Sequence, residues 1–166
     1  MKKILFFLTL MVVAASLIGC NSSGGRTLDF RSIACTETGA TLALGDRKAV
    51  FDAIFDEGED LGHGLYRYLD GALEVSFENN RAAGFQFNTY PSTDRITFYH
   101  VDLDMTLEDV FENFTPSEFA GDNGGLFNRF FDARGNEVPQ EESDYTLTVA
   151  CFDPFGIIYV VLHRNT

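Results

Sequence analysis

The sequence predicts an α+β fold of two tandem repeats, each a helix followed by an antiparallel meander, with the helices packed on one face of the sheet. Three observations predict it. Two segments carry apolar residues at helical spacing, and each is followed by segments in which apolar and polar residues alternate. A Val-Phe pair in each helical segment and an Arg-x-x-Asp pattern in each first strand also recur at matching places, which indicates duplication.

The first repeat is predicted to span residues 28–95. Its helix is expected over residues 47–56, with Asp46 as the N-cap, because apolar residues recur there at i, i+3 and i+4. Three strands should follow, over residues 65–70, 73–78 and 81–88. An Asp-Gly pair and an Asn-Asn pair separate these strands, and both are frequent in hairpin turns.

The second repeat is predicted to span residues 96–166. Thr106 should cap a helix whose Asp109, three residues later, completes a capping box. The helix should end before Pro116. Strands are expected over residues 96–101, which link the repeats, and then over 127–132, 145–151 and 157–163.

The N-terminus has the pattern of an export signal over residues 1–19. Lys2 and Lys3 form a basic head, and an apolar segment of about a dozen residues follows before small residues close the signal. That segment is too short to span a bilayer, which takes about 20 residues. We therefore expect an exported chain.

The residues that close the signal, Leu17-Ile18-Gly19-Cys20, resemble the lipobox of bacterial lipoproteins. The resemblance implies that Cys20 receives a diacylglyceryl group, that residues 20–27 form a lipidated flexible tether, and that the protein is anchored outside the cytoplasm. The alternative is an ordinary secretory signal with an incidental cysteine. The bounding membrane can be an inner, an outer or a single one.

The chain is strongly acidic, with a formal net charge of −13. Loss of Lys2 and Lys3 with the signal would leave 10 basic against 25 acidic side chains, a charge of −15. Such a surface repels nucleic acid and anionic lipid headgroups, so nucleic acid is excluded as a partner and the lipid is needed to hold the protein on a membrane.

With Cys20 acylated, two cysteines remain, Cys35 and Cys151. An even number in an oxidising compartment is consistent with a disulfide between them. The alternative is two separate buried thiols that act as small apolar residues. The sequence leaves both open.

The region after Thr41 resembles the β-lactamase-inhibitor-protein-like fold, which also occurs in small outer-membrane assembly lipoproteins of the SmpA/OmlA type. The matching features are Leu44-Gly45-Asp46 with Val50, and the run from Met105 to Val110, each followed by antiparallel strands. The resemblance implies that partners dock on the open face of the sheet. Outward-facing candidates for this surface are Glu74, Ser76, Gln86, Thr97, Tyr99, Thr146 and Thr148, and joint exposure of Tyr66, Tyr68 and Tyr90 would strengthen the case for binding. The alternative is an ordinary polar, solvated face of an antiparallel sheet.

No catalytic motif supports an enzyme, since the three histidines are isolated and no nucleophile–base pattern is present. No cofactor or metal ligand set is predicted. We expect a non-catalytic envelope module that binds a protein partner. The alternative is a protein that binds a small molecule or divalent ion through acidic loops such as residues 56–60.

Overall fold

Alternating apolar and polar segments form most of the described chain. A computed structural model describes residues 29–90, 94–98, 101 and 103–165. The export signal 1–19, Cys20, the tether 20–27 and Tyr99 therefore lie outside the described residues. The strands are β1 Ser32–Cys35, β2 Thr41–Ala43, β3 Glu59–Gly62, β4 Leu65–Tyr68, β5 Leu73–Glu78, β6 Arg81–Asn88, β7 Ile96–Phe98, β8 Thr115–Pro116, β9 Gly124–Phe131, β10 Tyr145–Phe152 and β11 Gly156–Arg164.

Two α-helices, α1 Lys48–Phe55 and α2 Leu107–Asn113, and the 3-10 turns Leu69–Gly71 and Gln140–Glu142 complete the described elements. The capping box predicted for α2 is confirmed, because Thr106 Oγ1 accepts from the Asp109 backbone N–H while the Asp109 carboxylate accepts from the Thr106 N–H. No described helix has both the length and the apolar character that crossing a membrane demands.

The strands form two antiparallel sheets. The small sheet has the order β2-β1-β7, and the large sheet has the order β3-β4-β5-β6-β11-β10-β9-β8. Only β6 and β11 join the two sides of the large sheet, with Gly84 opposite His163 at one end of the register and Asn88 opposite Tyr159 at the other. Strands distant in sequence are therefore neighbours at its centre.

The predicted fold class is wrong. We expected an α+β fold of two helix-plus-meander repeats with helices packed on one face, but the structure is mostly β, with 47% of the described residues in strands and 16% in helices when the 3-10 turns are counted. The helices have eight and seven residues, about two turns each. The physical reason is length: helices this short contribute little regular structure, whereas β6, β9, β10 and β11 each run for eight or nine residues.

The core lies against one side of the large sheet, which we call the inner face. Phe51 of α1 is fully buried there, with its ring centroid 5.3 Å from that of Phe77 and 5.9 Å from that of Phe85. Phe98 of the small sheet also contacts Phe85, at 6.5 Å between centroids. The apolar residues of both sheets and α1 thus share one core, and the opposite face of the large sheet is called the outer face.

The edge strands of the large sheet are poor templates for further strands. β3 presents the exposed carboxylates Glu59 and Asp60, and β8 has only two residues, one of them Pro116. Charge, short length and proline at an edge all oppose the addition of another strand. A partner of this sheet is therefore expected on a face rather than at an edge.

Candidate functional site

Two rows of side chains cross the outer face of the large sheet. They follow from the strand registers, because side chains on one face alternate along each strand. One row contains Leu65, Ser76, Gly84, His163, Thr146 and Phe130, and the other contains Arg67, Glu74, Gln86, Val161, Thr148 and Asn128. The second row extends to Glu59 at one edge and to Thr115 at the other.

Charged side chains are confined to one end of these rows. Arg67 lies between two carboxylates, with Nη1 3.3 Å from Glu59 Oε2 and Nη2 3.2 Å from Glu74 Oε1. From β6 to β8 the rows hold no Asp, Glu, Lys or Arg. We call this part the neutral patch; it consists of Gly84, Gln86, Thr115, Asn128, Phe130, Thr146, Thr148, Val161 and His163.

His163 is the titratable residue of the neutral patch. Partial burial lowers the pKa of His163, because the charged imidazolium loses hydration there. The neutral form is therefore favoured at pH 7, and the patch stays uncharged at that pH.

Hydrogen bonds hold several polar side chains of the patch in place. Thr148 Oγ1 donates to Asn128 Oδ1 at 2.7 Å, and Thr146 Oγ1 donates to Asn165 Oδ1 at 2.9 Å. Asn165 in turn donates to Ser143 Oγ at 2.8 Å. Side chains fixed before binding lose less conformational entropy when a ligand or partner arrives.

Two shallow depressions lie next to each other on the outer face. One has a volume of about 210 Å³ and is lined by residues of β4, β5, β6 and β11, including Ser76 and Gly84. The other, of about 450 Å³, lies over β9, β10 and β11, and His163 borders both. The absence of a side chain at Gly84 forms part of the first depression, since an added Cβ would lie 2.9 Å from Ser76 Oγ.

The residues predicted to bind a partner do not all reach this face. Gln86 does, half-buried in the second row, where its Nε2 donates to Asn88 Oδ1 at 3.0 Å. Tyr66 and Tyr68 lie on the inner face, because they are opposite the buried Val75 and Leu73. Tyr99 lies outside the described residues, so its position in the site stays a prediction.

The two tyrosines belong instead to a polar cluster under α1. Tyr68 is 3% exposed and its hydroxyl donates to Asp52 Oδ1 at 3.0 Å. Lys48 Nζ contacts both carboxylate oxygens of Asp52 at 2.8 Å and lies 4.3 Å from the centroid of the Tyr66 ring. Burial raises the pKa of Tyr68, and the hydrogen bond to Asp52 raises it further, so the hydroxyl keeps its proton.

Cys35 and Cys151 are both buried and are free thiols in the structure. Cys35 lies in β1 of the small sheet and Cys151 in β10 of the large sheet. Burial raises the pKa of the Cys151 thiol, which lowers its reactivity as a nucleophile. The disulfide between them stays a prediction.

The acidic loops do not assemble a ligand set for a metal among the residues that the structure describes, where no three His, Cys, Asp or Glu side chains converge suitably. Asp132, in the turn that follows β9, shows what a loop carboxylate does instead. Its Oδ1 accepts from the backbone N–H groups of Arg134 and Asn136, and its Oδ2 accepts from the Asn136 side chain. The carboxylate stabilises a turn, and these bonds from Asn136 and its neighbours lower the pKa of Asp132.

Sequence reasoning placed Gln86, Thr146 and Thr148 on the outward face, but it also placed Thr97 there, which lies in β7 of the small sheet. It did not identify Asn128, Val161 and His163, whose assignment to this face follows from the parity of β9 and β11. The strand order was also needed to bring them together with Gln86, because β6 and β11 are remote in sequence.

No protein-family model, curated protein or solved structure matches this chain. The resemblances to bacterial lipoproteins and to the β-lactamase-inhibitor-protein-like family therefore stay predictions, and the residues of the outer face are the basis for a functional assignment.

Proposed function

We propose that this protein is a lipid-anchored, non-catalytic module of the bacterial cell envelope that binds a protein partner through the neutral patch. The observation that carries the proposal is the absence of Asp, Glu, Lys and Arg from this part of the outer face, in a chain whose formal net charge is −13. The centres of protein–protein interfaces are depleted of charged residues in the same way.

The physical reason is desolvation. Burying an ionised side chain in an interface costs free energy unless it is paired there, whereas neutral amides and hydroxyls need only a hydrogen-bond partner. The neutral patch is therefore the part of the outer face that can be covered at the lowest cost. Contact elsewhere on the acidic surface would demand a basic partner.

The shape of the outer face favours a macromolecule over a small ligand. Its depressions, of about 210 and 450 Å³, are shallow and lie side by side on an open sheet. Small-molecule sites are concave and enclose most of their ligand. A protein surface that is itself polar and uncharged would match this face, with Gln86 and Asn128 offering amide groups for hydrogen bonds across the interface.

The anchor is tested separately from the partner. If Cys20 carries the lipid, Cys20→Ala should move the protein from the membrane fraction to the soluble fraction of the cells that express it. Unchanged retention on membranes would contradict lipid attachment at Cys20, and the docking proposal would stand independently of that result.

Docking is tested by site-specific crosslinking in intact cells. A photo-crosslinking residue at position 86 should give one discrete crosslinked product, and the same residue at position 97, in the small sheet, should not. A second substitution, Thr148→Arg, should reduce the yield at position 86 about tenfold, since a buried unpaired charge costs at least about 1.4 kcal/mol.

Thr97→Arg is the matched control, because Thr97 is an exposed strand residue on β7 and the change in charge is identical. It should leave the crosslink yield at position 86 within about twofold, which is under 0.5 kcal/mol. Equal losses in the two variants, or an unaffected crosslink in Thr148→Arg at unchanged thermal stability, would contradict docking on the neutral patch.

A further inference from the structure

A cleft of about 300 Å³ lies apart from the neutral patch, where three parts of the chain meet. These are the turn at Gly45, the β5–β6 hairpin with Asn79 and Arg81, and the paired strand residues Tyr145 and Arg164. Its volume is at the lower end of the range for small-molecule sites.

The basic residues of the described chain divide into two groups. Arg31, Lys48, Arg67, Arg95 and Arg129 each form an ion pair with a carboxylate. Arg47, Arg81, Arg134 and Arg164 form none with a carboxylate of the described residues. Arg81 and Arg164 line the cleft, Arg47 is the bridge partner of Arg81, and Arg134 lies in an exposed turn outside the cleft.

The arrangement brings like charges together in an acidic protein. Arg47 and Arg81 are directly opposite each other in an antiparallel bridge, a placement that is unfavourable for two cations. The chain has 25 acidic side chains that could neutralise them. Glu78 is opposite Arg81 in the β5–β6 register and also lines the cleft, but it forms no ion pair with Arg81 or Arg164, so both guanidinium groups can bind an anionic ligand.

The backbone fixes one of these guanidinium groups at the cleft. Arg81 Nη1 donates to the Gly45 carbonyl at 2.7 Å, which orients the group and leaves its other N–H donors for a ligand. Arg164 is exposed at the end of β11 and contributes a second guanidinium group, whose N–H donors can bind two oxygens at once. Two guanidinium groups match the oxygens of a phosphate or carboxylate group, and Asn79, whose side chain is an uncharged amide, also lines the cleft.

We propose that this cleft binds the oxyanion group of a small molecule, a phosphate or a carboxylate, through Arg81 and Arg164. Glu78 also lines the cleft, so a ligand that carries a hydroxyl or ammonium group beside its oxyanion satisfies both signs of charge. The proposed ligand is an anion, whereas the alternative derived from the sequence was a divalent cation bound by acidic loops.

The test is a chemical-shift titration of the full chain with inorganic phosphate at constant ionic strength, with chloride as the reference anion. Saturable shifts are expected at the backbone amides of residues 45, 79 and 81. Arg164→Gln should weaken phosphate binding about tenfold, the loss expected from one charge-assisted hydrogen bond of roughly 1.4 kcal/mol. Arg164→Lys keeps the charge but loses the planar guanidinium group, so its affinity for phosphate should lie between those of the unchanged protein and of Arg164→Gln.

Arg134→Gln is the matched control, because it removes the same charge from an exposed turn outside the cleft. It should change phosphate affinity less than twofold. Shifts no larger than those with chloride, or equal losses of affinity in Arg164→Gln and Arg134→Gln, would overturn the proposal.

A second arm separates a soluble ligand from a lipid headgroup. The Cys20→Ala chain is mixed with phosphatidylglycerol vesicles, and with phosphatidylcholine vesicles as the reference. Binding to the former that free phosphate displaces, and that Arg164→Gln abolishes, would identify a headgroup as the source of the oxyanion. Phosphate binding without such vesicle binding would identify a soluble anion, and either result supports the site.

Discussion

Replacement of Phe51 by alanine should be among the most destabilising single changes in this chain. The ring is fully buried and lies within 5.3 to 6.2 Å of three other aromatic rings, those of Tyr68, Phe77 and Phe85. Removing it sacrifices about 2–3 kcal/mol of apolar burial, and the cavity left behind adds roughly 1–2 kcal/mol. We expect a loss of about 3–5 kcal/mol in the free energy of unfolding.

The assay is equilibrium unfolding in urea at pH 7, and the control is Phe111→Ala. Phe111 of α2 also contacts one aromatic ring, that of Phe127 at 4.8 Å between centroids, but it is 42% exposed. The same chemical change should therefore cost only about 1 kcal/mol there. If Phe51→Ala unfolds the chain, Phe51→Leu provides a smaller, measurable loss of about 1–2 kcal/mol. Similar losses at the two positions would refute the assignment of α1 to the core.

Two further predictions concern pH and thiols. Burial by itself would raise the pKa of Asp52, but the hydrogen bonds from Lys48 and Tyr68 outweigh it and lower that pKa. The stabilisation by Asp52 is therefore present above the pKa of an unfolded aspartate, about 4, and is lost as the pH falls through the folded value. Asp52→Asn should cost about 1 kcal/mol in urea unfolding at pH 7 and almost nothing at pH 2, whereas an equal loss at both would contradict the ionic role. Cys35 and Cys151, as buried thiols, should resist a thiol reagent in the native protein and both react in denaturant, and their failure to react in denaturant without a reductant would show that they are bridged.

Local sequence signals predicted local structure correctly where the preferences of one or two nearby side chains decide the backbone conformation. The capping box of α2 is confirmed because Thr106 and Asp109 satisfy each other within one turn. The Asn79-Asn80 turn is also confirmed, since both residues adopt the positive φ angles, 50° and 63°, that asparagine tolerates.

Other predictions were wrong or incomplete because neighbouring residues could fill the same structural role. Asp46 was expected to cap α1, but the N-cap is Arg47 and the Asp46 carboxylate accepts from the Ala43 backbone N–H instead. Tyr66 and Tyr68 could not be assigned to a face from their own segment, because Leu65 on the opposite parity is also apolar. Their position was decided by pairing with β5.

The fold class and the neutral patch depend on contacts that no local pattern encodes. The short helical stripes were given too much weight, and strands such as β3 and β8 carry weak periodic signals. The neutral patch needs β6 beside β11, and the register between residues so far apart in the chain is set by tertiary packing.

The position of β11 has a consequence for how the chain matures. This strand follows all the others in chain order, yet it lies at the centre of the large sheet between β6 and β10. Before residues 156–164 leave the ribosome, no strand pairing joins the two groups of strands in the large sheet. Completion of the sheet must wait for this late segment, and closing so long a loop is slow. The export that we propose for this chain requires an extended polypeptide, and such a delay would keep it extended.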